Sequence, residues 1–248
     1  MTGRVTRGRP RVRTQRVGDG VHRIRLGFVS AYVVESDSGL VLIDTGESRH
    51  AARIGEDIRA LGHGLGEVTH ILVTHHHPDH RGSLAALAAD TGARVHVHPA
   101  DAPFVRGERV WTGFDTSAGI GRLLAPLLAR VQPDQPEPAS IDEPLVDGAR
   151  LDLAGGITVL HTPGHTPGHT CFLLHRDGGV LVAGDAATNV GGLRSGGHRL
   201  ARITTDDTHA AHASFARLAG LDFEVAVFGH GAPIRGGASE RFRRVAAR

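Results

Sequence analysis

A run of metal-binding side chains directly after an apolar segment constrains this chain more than any other feature. Residues 75–80 read His-His-His-Pro-Asp-His, so four histidines and one aspartate stand within six residues. Residues 70–73 read His-Ile-Leu-Val, which is typical of the end of a buried β-strand. Imidazoles and carboxylates at such close spacing are the donors that divalent transition metals select. The pattern predicts a metal site in a loop at the carboxyl end of a strand.

Three further segments carry the same chemistry. His161, His165 and His169 stand in a Thr-Pro-Gly-rich stretch that also follows an apolar run. Residues 184–185 read Gly-Asp and residues 229–231 read Gly-His-Gly, each after another apolar run. Loops at strand ends are where functional side chains are commonly placed on a rigid scaffold. Together the four segments predict a metal-dependent enzyme with two metal positions.

Composition favours one large domain without disulfides or a membrane span. The 248 residues are 40% hydrophobic, which is enough for a single domain with its own core. The lone Cys171 excludes an intrachain disulfide, so nothing calls for an oxidising compartment. There is no run of about 18 apolar residues and no apolar core of a secretory signal. We therefore expect a cytoplasmic protein with no membrane partner.

The positive charge of the chain is concentrated at its N-terminus. Every one of the 28 basic residues is arginine, and six of them precede the first acid, Asp19. The other 22 arginines face 26 acidic residues, so the body is mildly acidic. No aromatic residue interleaves the N-terminal arginines, as a groove for nucleic acid would require. Residues 1–18 are predicted to be a disordered, solvated tail without a nucleic-acid partner, and residues 19–248 a single domain.

Hydrophobic periodicity predicts two strand-rich halves with a few helices. Strands are expected over residues 21–26, 31–34, 40–43, 68–73, 94–98, 151–153, 157–160, 171–174, 180–183 and 224–228, and helices over 48–61, 82–89, 208–218 and 238–248. Residues 100–140 are predicted to be an insert with a helix and a loop. Its aromatic residues Trp111 and Phe114 could form a substrate wall or cap the core, and the sequence leaves both alternatives open.

The order of the metal-type residues resembles the metallo-β-lactamase superfamily. The matching pattern is His75-x-His77-x-Asp79-His80, followed by His165, Asp185 and His230 in their Pro-Gly-His-Thr, Gly-Asp and Gly-His-Gly contexts. Asp44 in Leu-Ile-Asp-Thr-Gly matches the first motif of the family. The resemblance runs through about residues 20–235. It implies an α/β fold, a four-layer αββα sandwich with metals at one edge of its two sheets.

The resemblance also implies a role for each residue. The first metal would be held by His75, His77 and His165, the second by Asp79, His80 and His230, and Asp185 would bridge the two. Asp79 would orient the attacking water and accept its proton. The implied cofactor is two zinc ions per chain, with iron or manganese as alternatives because the same donors suit those metals.

The remaining polar residues near these motifs receive other interpretations. Alternation along the chain points His76 away from the site, toward packing or the surface. His161 and His169 could orient ligands or be solvated loop residues, and Asp44 is expected to brace the site rather than bind metal. No role is expected for His50, His63, His96, His98, His175, His198, His209 and His212.

The resemblance implies hydrolysis of a small ester, thioester, lactone or β-lactam by attack of a metal-bound hydroxide. The ligand motifs contain no cysteine, and in this the chain resembles the glyoxalase II and lactonase-like branch of the family more than the clinical β-lactamases. Only 18 residues follow His230, which makes a glutathione thioester a poor substrate candidate. An anionic substrate could use Arg194, Arg199 or Arg202. Tyr32, the sole tyrosine, could serve a lactonase, and whether it reaches the metals is open.

Two other functions remain as alternatives at this point. An iron-dependent persulfide dioxygenase of the same superfamily would use one iron held by two histidines and one aspartate, matching His75, His165 and Asp185 only in part. Metal identity separates that oxidoreductase from the hydrolase. A non-enzymatic anion-binding protein acting through the N-terminal arginines would leave the metal-type residues idle.

Overall fold

Two β-sheets form the centre of the fold in the computed structural model, which describes residues 14–117, 119–128, 135–198 and 201–248. The first sheet contains seven strands that neighbour one another in chain order, namely β1 (Thr14–Gly18), β2 (Val21–Leu26), β3 (Val29–Ser36), β4 (Gly39–Ile43), β5 (Val68–Leu72), β6 (Arg94–Val97) and β7 (Glu143–Pro144). The second sheet contains β8 (Arg150–Leu151), β9 (Ile157–His161), β10 (Thr170–Leu174), β11 (Val180–Val182), β14 (Val225–Val227) and β15 (Ile234–Arg235). A short separate hairpin pairs β12 (Ala187–Thr188) with β13 (Arg194–Ser195).

Helices cover the outer face of each sheet. In the described part of the chain they are α1 (Ala51–Ala60), α2 (Pro78–Arg81), α3 (Leu84–Thr91), α4 (Ala102–Val105), α5 (Gly119–Leu128), α6 (Thr208–Ala219) and α7 (Ala238–Ala246). Ile54, Ile58 and Leu84 of α1 and α3 are buried against the first sheet. Phe215 and Phe242 of α6 and α7 are buried against the second sheet. Each helix pair thus hides its apolar stripe on one sheet.

A third apolar layer lies between the two sheets. Tyr32, Ile43 and Leu72 of the first sheet pack with Phe172 and Val227 of the second. Strands buried on both faces explain why their sequences read as continuous apolar runs rather than as alternating ones. The resulting order of layers is helix, sheet, sheet, helix. The predicted αββα sandwich is confirmed.

Parallel pairing within each sheet brings the candidate residues to one edge. Strand β4 pairs in parallel with β5, and β11 pairs in parallel with β14. The carboxyl ends of parallel neighbours lie together, so the loops that follow them converge. These loops carry Asp44 after β4, residues 75–80 after β5, Asp185 after β11 and His230 after β14.

The structure shortens the predicted N-terminal tail. Residues 14–18 form β1 and pair antiparallel with β2, so the first sheet begins before Asp19. Within β1, Arg16 forms an ion pair with Asp19 and its carbonyl accepts a hydrogen bond from Arg235. Residues 1–13 lie outside the described residues. Across the part of the chain that is described, no helix has the length and apolar character needed to cross a membrane.

Candidate metal centre

Three overlapping groups of side chains are close enough to share a metal ion. The first group is His75, His77 and His165, the second is Asp79, His80 and His230, and a third joins His75, His80 and Asp185. Within each group the nitrogen or oxygen atoms all lie within 4.8 Å of one another. All seven predicted metal-binding residues are therefore brought together, although they come from four separate loops.

Asp185 lies between the first and second groups. Its Oδ2 is 3.4 Å from His165 Nε2 and 3.3 Å from His230 Nε2, while its Oδ1 is 3.5 Å from His80 Nε2. Asp79 Oδ2 is 3.3 Å from His230 Nε2. A single carboxylate thus faces histidines of both groups, which is the arrangement that a bridging ligand requires.

Several atoms at the centre of this cluster are buried without a hydrogen-bond partner. They are Nε2 of His75 and His80, and Oδ1 of Asp185. His77 turns its Nδ1 toward the cluster, 3.0 Å from His165 Nε2. Buried polar atoms without partners are costly, and they call for an explanation such as a bound ion. Imidazole nitrogens and carboxylate oxygens are the donors that zinc accepts. The unpartnered atoms and the donor set therefore fit a metal at this position.

Hydrogen bonds to Nδ1 orient four of the imidazoles. His230 Nδ1 donates to the carbonyl of Phe28 at 3.1 Å. His165 Nδ1 donates to Thr205 Oγ1 at 3.2 Å, because that hydroxyl gives its own proton to Gly196 O. His75 Nδ1 donates in the same way to Thr74 Oγ1 at 3.0 Å, and His80 Nδ1 lies 2.8 Å from Asp44 Oδ2. Each partner leaves Nε2 directed at the cluster, as in known metal sites.

Asp44 braces the loop after β5 in addition to orienting His80. Its Oδ1 accepts from Thr74 N and its Oδ2 accepts from Thr74 Oγ1, both at 2.8 Å. Asp44 has a φ of 60°, a conformation that is strained for a residue with a side chain. The structure thus gives Asp44 the bracing contacts that were predicted for it and places it outside the three groups.

His169 supports Asp185 from behind. Its Nε2 accepts a hydrogen bond from Asp185 N at 2.9 Å, and its Nδ1 lies 2.8 Å from Thr162 Oγ1. The side chain is fully buried, and burial together with the nearby His165 lowers the pKa of His169 to about 3. Of the two interpretations left open for His169, these contacts favour orientation of a ligand over a solvated loop residue.

The two halves of the cluster differ in electrostatics when no metal is bound. Burial and neighbouring imidazoles hold the pKa values of His75 and His77 well below their usual range, and burial lowers the pKa of His165 to about 4. Burial opposes protonation of His80 as well, yet the carboxylates around it raise its pKa to about 9. Burial also opposes protonation of His230, yet Asp185 and Asp79 raise its pKa to about 11. The imidazoles of the first group are thus neutral at pH 7, whereas those of His80 and His230 are protonated and ion-paired with Asp79 and Asp185.

Acidification is expected to destabilise the metal-free protein between about pH 6.5 and pH 4. The folded-state pKa of His169 is about 3, below the unfolded value of 6.5, so the unfolded chain binds more protons as the pH falls. Each such group removes about 1.4 kcal/mol of unfolding free energy per pH unit. The raised pKa values of His80 and His230 add no slope below about pH 5.5, because both side chains are then protonated in the folded and the unfolded state alike.

Urea unfolding of chelator-treated protein at pH 5.5 and pH 4.5 measures this dependence. We expect the free energy of unfolding to change less with pH in His169→Gln than in the parent. His212→Gln, which replaces an exposed imidazole, should show the same pH dependence as the parent. Equal slopes in all three proteins would contradict the assignment of a buried neutral imidazole at position 169.

The other histidines lie outside the three groups. His76 is buried, stacks on Phe104 with ring centroids 3.8 Å apart, and so has the packing role that was one of its predicted alternatives. His161 donates from Nε2 to Pro167 O at 2.9 Å and stacks on His98. None of the histidines for which no role was expected belongs to a group that could hold a metal among the described residues.

Two predicted substrate contacts are placed away from the cluster. The hydroxyl of Tyr32 is buried and donates to Phe228 O at 2.6 Å, so it braces two strands instead of facing a substrate. Arg194 lines a separate cavity of about 680 Å³ together with His198 and His212, and none of the seven predicted ligands lines that cavity. Arg199 lies outside the described residues.

Aromatic side chains stand on two sides of the cluster. Phe28, in the β2–β3 turn, is 72% exposed and its ring centroid is 4.6 Å from that of His230. The ring centroid of Trp111 lies 4.7 Å from that of His77 and 5.6 Å from that of Phe114. The sequence left two roles open for Trp111 and Phe114, a substrate wall or a cap on the core. It did not single out Phe28, because nothing in the neighbouring residues distinguishes an exposed aromatic residue in a turn that reaches a site.

Comparison with known proteins agrees with the geometry. The model of the metallo-β-lactamase superfamily matches residues 24–230. Probable metallo-hydrolase YflN of Bacillus subtilis (strain 168) is 31% identical over 238 residues, covering 88% of this chain and 86% of that protein. A UPF0173 metal-dependent hydrolase of Rhizobium etli is 42% identical over 66 residues, 27% of each chain.

Solved structures show the same architecture. The Rm3 metallo-β-lactamase is 25% identical with a TM-score of 0.68, over 95% of this chain and 82% of that one. The HARLDQ-motif metallo-β-lactamase of Cronobacter sakazakii, 24% identical, also has a TM-score of 0.68, over 88% of this chain and 81% of that one, and supports the fold alone. With its ligand-type cluster at the edge of an αββα sandwich, the chain belongs to the metallo-β-lactamase superfamily and is a metal-dependent hydrolase.

Proposed function

We propose that this protein is a two-zinc hydrolase of small carbonyl substrates. The observation that carries the proposal is the position of Asp185, whose carboxylate lies within 3.5 Å of histidines from both the first and the second group. A site for one metal would not need a second set of donors on the far side of that carboxylate. The proposed first position is His75, His77 and His165, and the proposed second is Asp79, His80 and His230, with Asp185 shared.

The chemistry divides between the metals and the protein. Zinc ions, when bound, would act as Lewis acids toward the carbonyl oxygen and make water nucleophilic near neutral pH. Asp79 is suited to receive the proton of that water, because its side chain is 37% exposed at the edge of the cluster. Although burial opposes ionisation, His80 and His230 keep the pKa of Asp79 below its usual value, so the carboxylate is available as a base at pH 7.

Iron-dependent persulfide oxidation is the less supported alternative. Such a site would need two histidines and one aspartate, whereas Asp79, His80 and His230 form a further cluster with its own close contacts. These extra donors favour a hydrolase with two metals. Oxygen consumption with one iron per chain would instead support the oxidoreductase.

The flanking aromatic residues favour a substrate with an apolar part. Phe28 and Trp111 stand beside His230 and His77 and could contact opposite ends of a bound molecule. Contact with apolar surface is favourable by about 25 cal/mol per Å². We therefore propose an ester, thioester, lactone or β-lactam with an apolar substituent.

Truncation of these two aromatics is expected to weaken substrate binding more than chemistry. Phe28→Ala and Trp111→Ala should each raise KM for an apolar ester about tenfold, which corresponds to about 1.4 kcal/mol, and change kcat less than threefold. Val146→Ala, an exposed apolar residue before β8, is the matched control and should leave KM unchanged. Equal KM values in the parent and the three variants would show that Phe28 and Trp111 do not contact the substrate.

A substrate panel tests the proposed reaction. Purified protein, stripped with a chelator and then reloaded with zinc, is assayed on matched esters, thioesters, lactones and β-lactams of increasing acyl length. We expect hydrolysis of at least one class that disappears on stripping and returns with zinc. Activity that survives complete stripping would contradict the proposal.

A further inference from the structure

A buried carboxylate, Asp101, joins the two loops that carry the first group of candidate ligands. Asp101 is 0% exposed and lies at the start of α4. Its Oδ2 accepts from His76 N at 2.9 Å and from Thr166 Oγ1 at 2.8 Å. Its Oδ1 accepts from Gly168 N at 2.7 Å, and His76 Nδ1 lies 3.1 Å from Oδ2. One side chain thus holds both loops.

These contacts fall next to the candidate ligands without touching them. His76 stands between His75 and His77, and Thr166 directly follows His165. The position of Asp101 is itself constrained by its main chain, since Asp101 N donates to His98 O at 3.0 Å. A Cβ at Gly168 would lie 2.6 Å from both Asp101 N and Oδ1, so the close approach requires glycine there.

The charge of Asp101 is compensated mainly by hydrogen bonds. Within the described ranges no arginine forms an ion pair with it, and its salt-bridge contact is to His76. A buried carboxylate without hydrogen-bond donors would be costly, but here both oxygens accept. Such a carboxylate fixes the directions of its donors, and those donors belong to the loops of His77 and His165.

We propose that Asp101 is a positioning residue that sets the zinc affinity of the first metal position. The proposal rests on the two-metal function above and deepens it, because it assigns control of one position to a residue outside the metal-binding set. Residues that orient metal ligands from outside typically change metal affinity 10- to 100-fold when replaced. The second position shares the 75–80 loop through Asp79 and His80, but none of its three residues is adjacent in sequence to a residue that Asp101 holds, so it should be much less sensitive to Asp101.

Asparagine is the appropriate replacement because neither orientation of its amide preserves all three hydrogen bonds that Asp101 accepts. With the amide NH₂ in place of Oδ2, it faces the donors of His76 and Thr166. With the NH₂ in place of Oδ1, it faces Gly168 N–H. The second orientation still accepts from His76 and Thr166, so Asp101→Asn keeps the volume of the side chain but loses its charge and at least one of the hydrogen bonds that hold the loops.

The test measures the zinc dissociation constant of each position alone by competition with a chromophoric chelator. His230→Ala leaves the first position and His77→Ala leaves the second. Adding Asp101→Asn should raise the dissociation constant about 10- to 100-fold in the His230→Ala protein and less than about threefold in the His77→Ala protein. Asp147→Asn is the matched control, because Asp147 accepts from His161 N at 2.8 Å but makes no contact with His76.

The outcomes separate this inference from the proposed function. Equal losses of zinc affinity at both positions, or no loss at the first, would overturn the role of Asp101. The proposed function would still hold in that case if the parent protein binds two zinc ions. A parent protein that takes up no zinc would overturn both. If circular dichroism shows that Asp101→Asn is unfolded, Thr166→Val carries the test, with an expected three- to tenfold loss confined to the first position and the same contradicting results.

Discussion

Asp185→Asn is expected to lower kcat/KM by at least about 10³-fold, equal to about 4 kcal/mol in the activation barrier. Asparagine keeps the shape of the side chain but removes the charge that faces His80, His165 and His230. The first and second positions would then lose their shared carboxylate, and two metal ions would sit close together with less charge compensation. The loss should therefore appear in metal content as well as in turnover.

Steady-state kinetics and metal analysis of the same preparations check this expectation. Asp90→Asn, on the exposed face of α3, is the matched control and should behave like the parent. The bridging role would be refuted if the Asp185→Asn protein still bound two zinc ions and kept at least a tenth of the parental kcat/KM.

Asp79→Asn is expected to lower kcat by about 10²- to 10⁴-fold, the usual contribution of a positioned general base. The carboxylate lies 3.3 Å from His230 Nε2 and stays ionised, whereas an amide cannot accept a proton. The first metal should be retained, because Asp79 belongs to the second group.

Added zinc distinguishes the two roles assigned to Asp79. If the residue transfers a proton, kcat of Asp79→Asn stays low at saturating zinc, and the acidic limb of the pH–rate profile changes. Full recovery of kcat with zinc would mean that Asp79 acts as a metal ligand alone.

The sandwich could be predicted because the metal-type residues, in their order and local contexts, resemble the metallo-β-lactamase superfamily. Continuous apolar runs mark strands buried on both faces, and each metal-type residue follows the end of such a strand by three to eight positions, as His75 follows β5 and Asp185 follows β11. Strand β1 was missed because Arg16 and the five arginines before it read as a charged tail, while pairing with β2 and burial of Val17 decide its structure.

The supporting residues could not be predicted because their signals are long-range. Asp101 contacts residues 25 and 65 positions away along the chain, at His76 and Thr166. Nothing in the sequence near residue 101 reveals that separation. Arg194 illustrates the opposite error, since its place after Asp185 suggested a substrate contact and the fold turns it toward a separate cavity.

Metal content measured by plasma mass spectrometry is the most direct test of a two-zinc site in this protein. We predict about two zinc ions per chain in the purified parent, and about one or fewer in His77→Ala, which loses a donor of the first group. His212→Gln should match the parent. Less than a tenth of an equivalent of any metal in the parent, even after reloading with zinc, would contradict the account.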